Sequence, residues 1–305
     1  MSTFGDRLYE LGGIPVGASG AQAVSNGSVY FVDLNYGSDS NQDGASLKKP
    51  FKSLTKALAI SHADIARGSD RWARRNTIYA CGDAFTEDLT ASAQKTDIIG
   101  IGSYDAFKGA GLIGNHVPVN TALGTRWYNF QFRGDSSGGD MFTLSTANQG
   151  IEFHNCRFHA DGGTAATGAI LPTAVRFMKI DNCIFEGAFS DAVIQFGAGN
   201  ASGTIISNNL IQGANNGIEC SSSMTMTPEI GYIINNIFHV TALGVKDEAD
   251  KFMVVGNRVY SAVATATTGT LIEVMDCNVK LAFDNYISAG NVTNCRFPVV
   301  AEAGA

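Results

Sequence analysis

Phe153-His154-Asn155-Cys156-Arg157-Phe158 is one copy of a phrase that returns along the second half of the chain. An apolar residue, any residue, Asn, any two residues and usually an aromatic also read WYNFQF at 127–132, IDNCIF at 180–185 and ISNNLI at 206–211. The phrase continues as IINNIF at 233–238, VGNRVY at 255–260, FDNYIS at 283–288 and VTNCRF at 292–297. The marker asparagines Asn129, Asn155, Asn182, Asn208, Asn235, Asn257 and Asn285 are separated by 26, 27, 26, 27, 22 and 28 residues. Asn294 follows after 9 more and reads as a closing half-turn.

A period in the twenties belongs either to a leucine-rich repeat or to a coil of parallel strands. Leu does not recur at fixed offsets, whereas β-branched and aromatic residues alternate, which selects the coil. Two residues before each marker stand Trp127, Phe153, Ile180, Ile206, Ile233, Val255, Phe283 and Val292. Three residues after stand Phe132, Phe158, Phe185, Ile211, Phe238, Tyr260, Ser288 and Phe297. In coils stacked about 4.8 Å apart each set becomes an interior column. Between the columns an Asn can take the left-handed conformation of a sharp corner. Cys156, Cys183 and Cys295 each follow a marker directly, as a buried stack of thiols would. A second strand is visible at 141–144, 192–196, 217–220, 243–246 and 269–274.

The rest of the composition agrees. At 305 residues the chain exceeds the length at which one compact core stops growing, so either two domains or an elongated repeat fold is expected. Charged residues are 16% of the chain, against about 25% in an average domain, and there are 35 glycines. The formal charge of −7 argues against nucleic acid as a partner, since no basic excess is at hand to neutralise phosphates. No 18-residue apolar run and no basic-then-apolar leader is present, so a soluble protein with no membrane partner, kept in the cytosol, is expected. The six cysteines stand singly without CxxC pairs, which points away from zinc and from a disulfide framework.

Residues 29–59 read as a strand, a Gly/Asp/Asn/Ser loop and an amphipathic helix opened by Pro50, over about 50–66, that covers the end of the coil. With the Asn repeats, this block resembles the pectate-lyase-like right-handed parallel β-helix family. The matching residues are Val32, Asp33, Gly37, Ser38, Asp39, Asp43, Gly44, Pro50 and Phe51. The resemblance implies an all-β, single-stranded right-handed parallel β-helix over 29–297, followed by a tail at 298–305. Residues 1–28 form an arm, with Phe4, Leu8 and Leu11 on one side of a short amphipathic turn stopped by Gly12-Gly13. An arm ahead of a β-helix is similar to tailed-bacteriophage virion proteins such as capsid decorations, turrets or spikes. That resemblance implies a homotrimer built in the host cytoplasm and held to other virion proteins through the arm.

A catalytic groove would need two or three acids at one coil position on neighbouring coils. The second-strand column reads Thr143, Gln195, Glu219, Lys246 and Glu273, with Asp140 and Asp191 at strand starts, and offers no such pair. Glu219 alone reads as a surface residue, and Asp247, Glu248 and Asp250 as a charged loop. No catalytic, cofactor or metal residue is therefore expected. Two residues after each marker, an outward column carries Ile184, Leu210, Ile237, Val259 and Ile287 in succession, an apolar stripe suited to trimer contacts. The expected protein is a non-enzymatic virion subunit. The alternatives are a polysaccharide-degrading tailspike or lyase, and a module binding host surface glycans through exposed aromatics such as Tyr36, Tyr104 or Trp72.

Overall fold

The computed structural model describes residues 10–11, 14–15, 27–67, 74–82, 84–102, 109–134, 138–160, 166–227, 229–247, 251–261, 270–274, 282–283, 286–287 and 291–293, with side chains for those between 27 and 260. Three long sheets, of ten, nine and seven strands among these residues, run through it. The chain visits them in rotation. Glu152–His154 lies in the first sheet, Arg157–Ala160 in the second and Ile170–Pro172 in the third, and Lys179–Asp181 returns to the first beside Glu152–His154. Neighbouring strands pair in parallel and in register, so equivalent residues stack rung upon rung. The molecule is an all-β coil of the parallel β-helix kind.

The alternation read from the repeats builds its core. Ile98, Trp127, Phe153, Ile180, Ile206 and Ile233 line up inside the first sheet. Phe132, Phe158, Phe185, Ile211 and Phe238 line up inside the second. All of these are buried. Phe132 stacks on Phe158 at 4.9 Å and Phe158 on Phe185 at 4.6 Å between ring centres. Each such ring contributes about 1.5–3 kcal/mol by leaving water.

The corner between the first and second sheets is made by Asn129, Asn155, Asn182, Asn208 and Asn235, with φ between 51 and 59°. In the next coil the left-handed residue is Gly256, φ 65°, and Asn257 is buried one position further on. Glycine takes this conformation without cost, so the corner moves by one residue and the columns move with it. Val254 and Val259 are therefore inside, in the places expected for Val255 and Tyr260. Asn285 lies outside the described residues. Val292 pairs with Ile272 in the third sheet, so it does not join the first-sheet column.

The residue after each corner forms a second, buried column: Phe130, Cys156, Cys183, Asn209, Asn236 and Asn257. Asn209 and Asn236 donate through Nδ2 to Ile180 O at 3.1 Å and Ile206 O at 3.0 Å, each reaching back one coil. Asn257 does the same to Ile233 O at 2.9 Å. The Oδ1 atoms accept from the preceding coil: Cys183 N reaches Asn209 at 2.8 Å, Asn209 N reaches Asn236 at 3.0 Å and Asn236 N reaches Asn257 at 2.9 Å. Where the column holds cysteine, the thiol takes the amide's role. Its single hydrogen is divided between two carbonyls: Cys156 Sγ lies 3.6 Å from Trp127 O one coil back and 3.3 Å from His154 O of its own, and Cys183 Sγ 3.5 Å from Phe153 O and 3.4 Å from Asp181 O.

A corner of the opposite kind leads from the third sheet into the first. Lys95, Gly124, Gly150, Phe177 and Gly203 stand there on five successive rungs, all left-handed, with φ of 46, 69, 65, 55 and 69°. Each N–H of the first four donates to the next coil at 2.8 Å, to Leu123 O, Gln149 O, Arg176 O and Ser202 O in turn. A side chain in this conformation costs about 1–2 kcal/mol, which explains the glycines and sets Phe177 apart.

Helix α1 (Leu54–Arg67) buries Leu54, Ala57, Leu58, Ser61 and Ile65 against the end of the coil. It starts four residues after Pro50. Phe51 is drawn into the edge of the end strand β3 (Val29–Asp33), its N–H donating to Phe31 O and its carbonyl accepting from Asp33 N, both at 2.8 Å. Gly44 O accepts from Phe31 N at 2.8 Å and completes the edge. The free amides before and in the first turn of α1 are met by two carboxylates. Asp39 accepts from Lys52 N and Ser53 N at 2.8 and 3.1 Å, and Glu87 accepts from Leu54 N and Thr55 N at 2.9 and 2.8 Å. The Gly-Ser-Asp loop is thus a capping device.

In the arm, Glu10–Leu11 pairs antiparallel with Ile14–Pro15. Leu11 is therefore in a strand, paired with Ile14, rather than in a helical turn. Phe4 and Leu8 lie outside the described residues.

Candidate functional site

The outward face of the second sheet carries the stripe expected from the repeats, shortened at one end. Ile184, Leu210 and Ile237 occupy three successive rungs. Val259 is fully buried, and Ile287 pairs with it rather than with the stripe. Arg258 takes the next outward place, so Arg157 and Arg258 bracket three aliphatic residues. The shift at Gly256 is the cause. Beside the stripe runs a polar column of Arg133, His159, Glu186, Gln212, His239 and Tyr260. Glu186 is its hub: it accepts from Arg157 Nε at 2.7 Å, lies 2.9 Å from His159 Nδ1 and meets Gln212 Nε2 at 3.5 Å. His239 stacks on Tyr260 with ring centres 4.9 Å apart.

The outward face of the first sheet is denser. One column places Asp97, Arg126, Glu152 and Lys179 on successive rungs with alternating sign. The next places Tyr128, His154, Asp181 and Ser207 beside them. Arg126 Nε meets Glu152 at 3.0 Å, and His154 Nε2 lies 2.7 Å from the same carboxylate. His154 is stacked on Tyr128 at 5.0 Å, and its Nδ1 is 3.8 Å from Asp181. Burial pushes the Glu152 carboxyl up, but the His154 hydrogen bond and the Arg126 charge outweigh it and leave the group below its ordinary value. Asp181 is likewise held low, the Ser207 and Asn208 hydrogen bonds overcoming burial. Asp97 goes the other way, because burial exceeds what Arg75 at 2.8 Å returns. The spacing of 26 to 29 residues between alternating charges, one place from an apolar column, is the signal that would have revealed this face from sequence.

On the third sheet Glu219 is tied to Lys246 at 2.8 Å, which fits a surface ion pair. Thr143 has Leu171 beside it, and Gln195, Glu219, Lys246 and Glu273 follow in register. Asp140 and Asp191 lie close enough to interact: burial first, and then the Asp191 charge, raise the Asp140 carboxyl. Asp247 is buried and accepts from Lys251 N and Phe252 N at 2.9 and 2.8 Å, closing its own loop, while Glu248 and Asp250 lie outside the described residues. Among the described residues no group of three or more His, Cys, Asp or Glu is placed to hold a metal ion, and no helix is long and apolar enough to cross a membrane. Tyr36 is 81% exposed. Trp72 and Tyr104 lie outside the described residues.

No family model, no curated protein and no solved structure matches this chain.

Proposed function

We propose that this chain is a non-enzymatic structural subunit of a virion surface. In this reading it is a right-handed parallel β-helix of the pectate-lyase-like kind, joined to two copies of itself, with residues 1–28 as its attachment to the larger assembly. Right-handedness follows from the rule that parallel crossovers within a sheet take that hand in about 98% of cases. The observation that carries the assembly reading is the outward row Ile184, Leu210 and Ile237 between Arg157 and Arg258. An aliphatic row beside a polar column on a sheet face is suited to burial against a second copy. Mass measurement in solution tests it. A trimer is expected for the full chain and for the chain lacking residues 1–28, and a monomer for Leu210→Glu with unchanged circular dichroism. A monomeric full chain would sink the reading.

Asp140 and Asp191 favour a second reading, a polysaccharide-cleaving enzyme in which the raised Asp140 carboxyl acts as the proton donor. Release of reducing ends from bacterial surface polysaccharide, abolished by Asp140→Asn, would support it; none released would remove it.

A further inference from the structure

We propose that the corner around Phe177 is a saccharide-binding notch, in which the Phe177 ring stacks on the apolar face of a sugar ring. This site lies apart from the second-sheet face used above and does not depend on how copies assemble.

Three features of the corner lead there. Phe177 is the one aromatic in a column otherwise made of Lys95 and three glycines, at φ 55°, and the residue is 45% exposed. Strained backbone that places a large apolar group in water, where glycine would serve the fold without strain, marks a position kept for contact. The ring is also held ready. A Cβ on Gly203 would come within 2.6 Å of Phe177 Cδ1, so the missing side chain there is what lets the ring lie down, and the Arg176 guanidinium stands 5.1 Å from the ring centre. Beneath it, Gly150 presents bare backbone on the preceding rung, and one rung further the Arg75 guanidinium borders the shelf, donating to Gly124 O at 3.0 Å, with Leu123, 45% exposed, next in sequence.

The chemistry bordering this shelf selects the ligand. Two residues along each strand, Arg126, Glu152 and Lys179 turn outward on the rungs of Gly124, Gly150 and Phe177. An aromatic wall beside a carboxylate and two cationic donors matches a molecule with one apolar C–H face and a rim of hydroxyl groups, which is a pyranose unit. The open shelf spans the rungs of Phe177 and Gly150, about 5 Å at the usual strand spacing, room for one sugar ring.

The test uses the full chain on an array of immobilised hexose, hexosamine and uronate oligosaccharides, beside thermal melting. Wild-type protein is expected to bind at least one of these saccharides. Phe177→Leu, which keeps bulk and backbone strain but lacks the ring, should lose that binding tenfold or more with little change in melting temperature. Phe177→Gly should lose binding and melt higher. The proposal is overturned if wild-type protein binds none of the saccharides or if binding survives Phe177→Leu. It is equally overturned if Phe177→Gly melts lower, since the ring would then be packing.

Discussion

The buried column beside the asparagine corner has two halves that do one job with different atoms. From Asn209 to Asn257 a side-chain amide closes each rung, donating back to a carbonyl one coil away and accepting a backbone N–H. At Cys156 and Cys183 the donation survives as a weak S–H contact, and a thiol offers little as an acceptor. The amide half is therefore a continuous chain of hydrogen bonds, and the thiol half is closer to ordinary apolar packing. What a position needs is set by the backbone groups that face it, and two unlike residues can answer that need to different degrees.

Substitution should expose the difference. Asn236→Ala strands Asn209 N and one Asn209 Nδ2 hydrogen while removing the donor to Ile206 O. With each orphaned buried group costing about 1–3 kcal/mol, a loss of roughly 3–5 kcal/mol is expected in urea unfolding. Cys183→Ala should cost less, about 1–2 kcal/mol, mostly from lost packing. Cys183→Asn should be milder still, because its amide can reach Phe153 O where the thiol now does. If the alanine changes at 183 and 236 cost the same, the two halves are not different in kind.

Alkaline pH separates the halves as well. Burial and the neighbouring Cys156 hold the Cys183 thiol well above its ordinary value of 9.0. A raised thiol contributes stability that is intact below the unfolded-state value and lost as pH climbs past it, since only the unfolded chain can then ionise freely. At pH 10 that amounts to about 1.4 kcal/mol relative to Cys183→Asn, read from unfolding curves of the two proteins at pH 7 and 10. The smallest effect belongs to the exposed column one residue away. Asn182→Gly keeps the left-handed corner and loses only the 2.5 Å bond to Asn155, so a change within about 0.5 kcal/mol is expected in the same unfolding measurement.

How far the letters alone lead follows the same physics. The corner asparagines and both apolar columns are legible, because left-handed corners and stacked interiors restrict residue type at a fixed spacing. The buried ladder was not, because Cys183 and Asn209 share a slot in the backbone without resembling each other as residues. Gly256 misled for a related reason: it takes the corner from an Asn that stands one place later, and Val259 turns from stripe to core with it. The charged face of the first sheet was passed over residue by residue, since Asp97, Arg126, Glu152 and Lys179 mean little until register puts them side by side. Phe177 left no mark at all, as its oddness lies in a backbone angle.

The edge of β3 carries a last consequence. Phe31 has its outward N–H and carbonyl, and Asp33 its outward N–H, taken by Gly44 and Phe51, so this part of the strand edge is already paired within the chain. A second copy adding a strand along Phe31 to Asp33 would first have to displace the segment from Gly44 to Phe51.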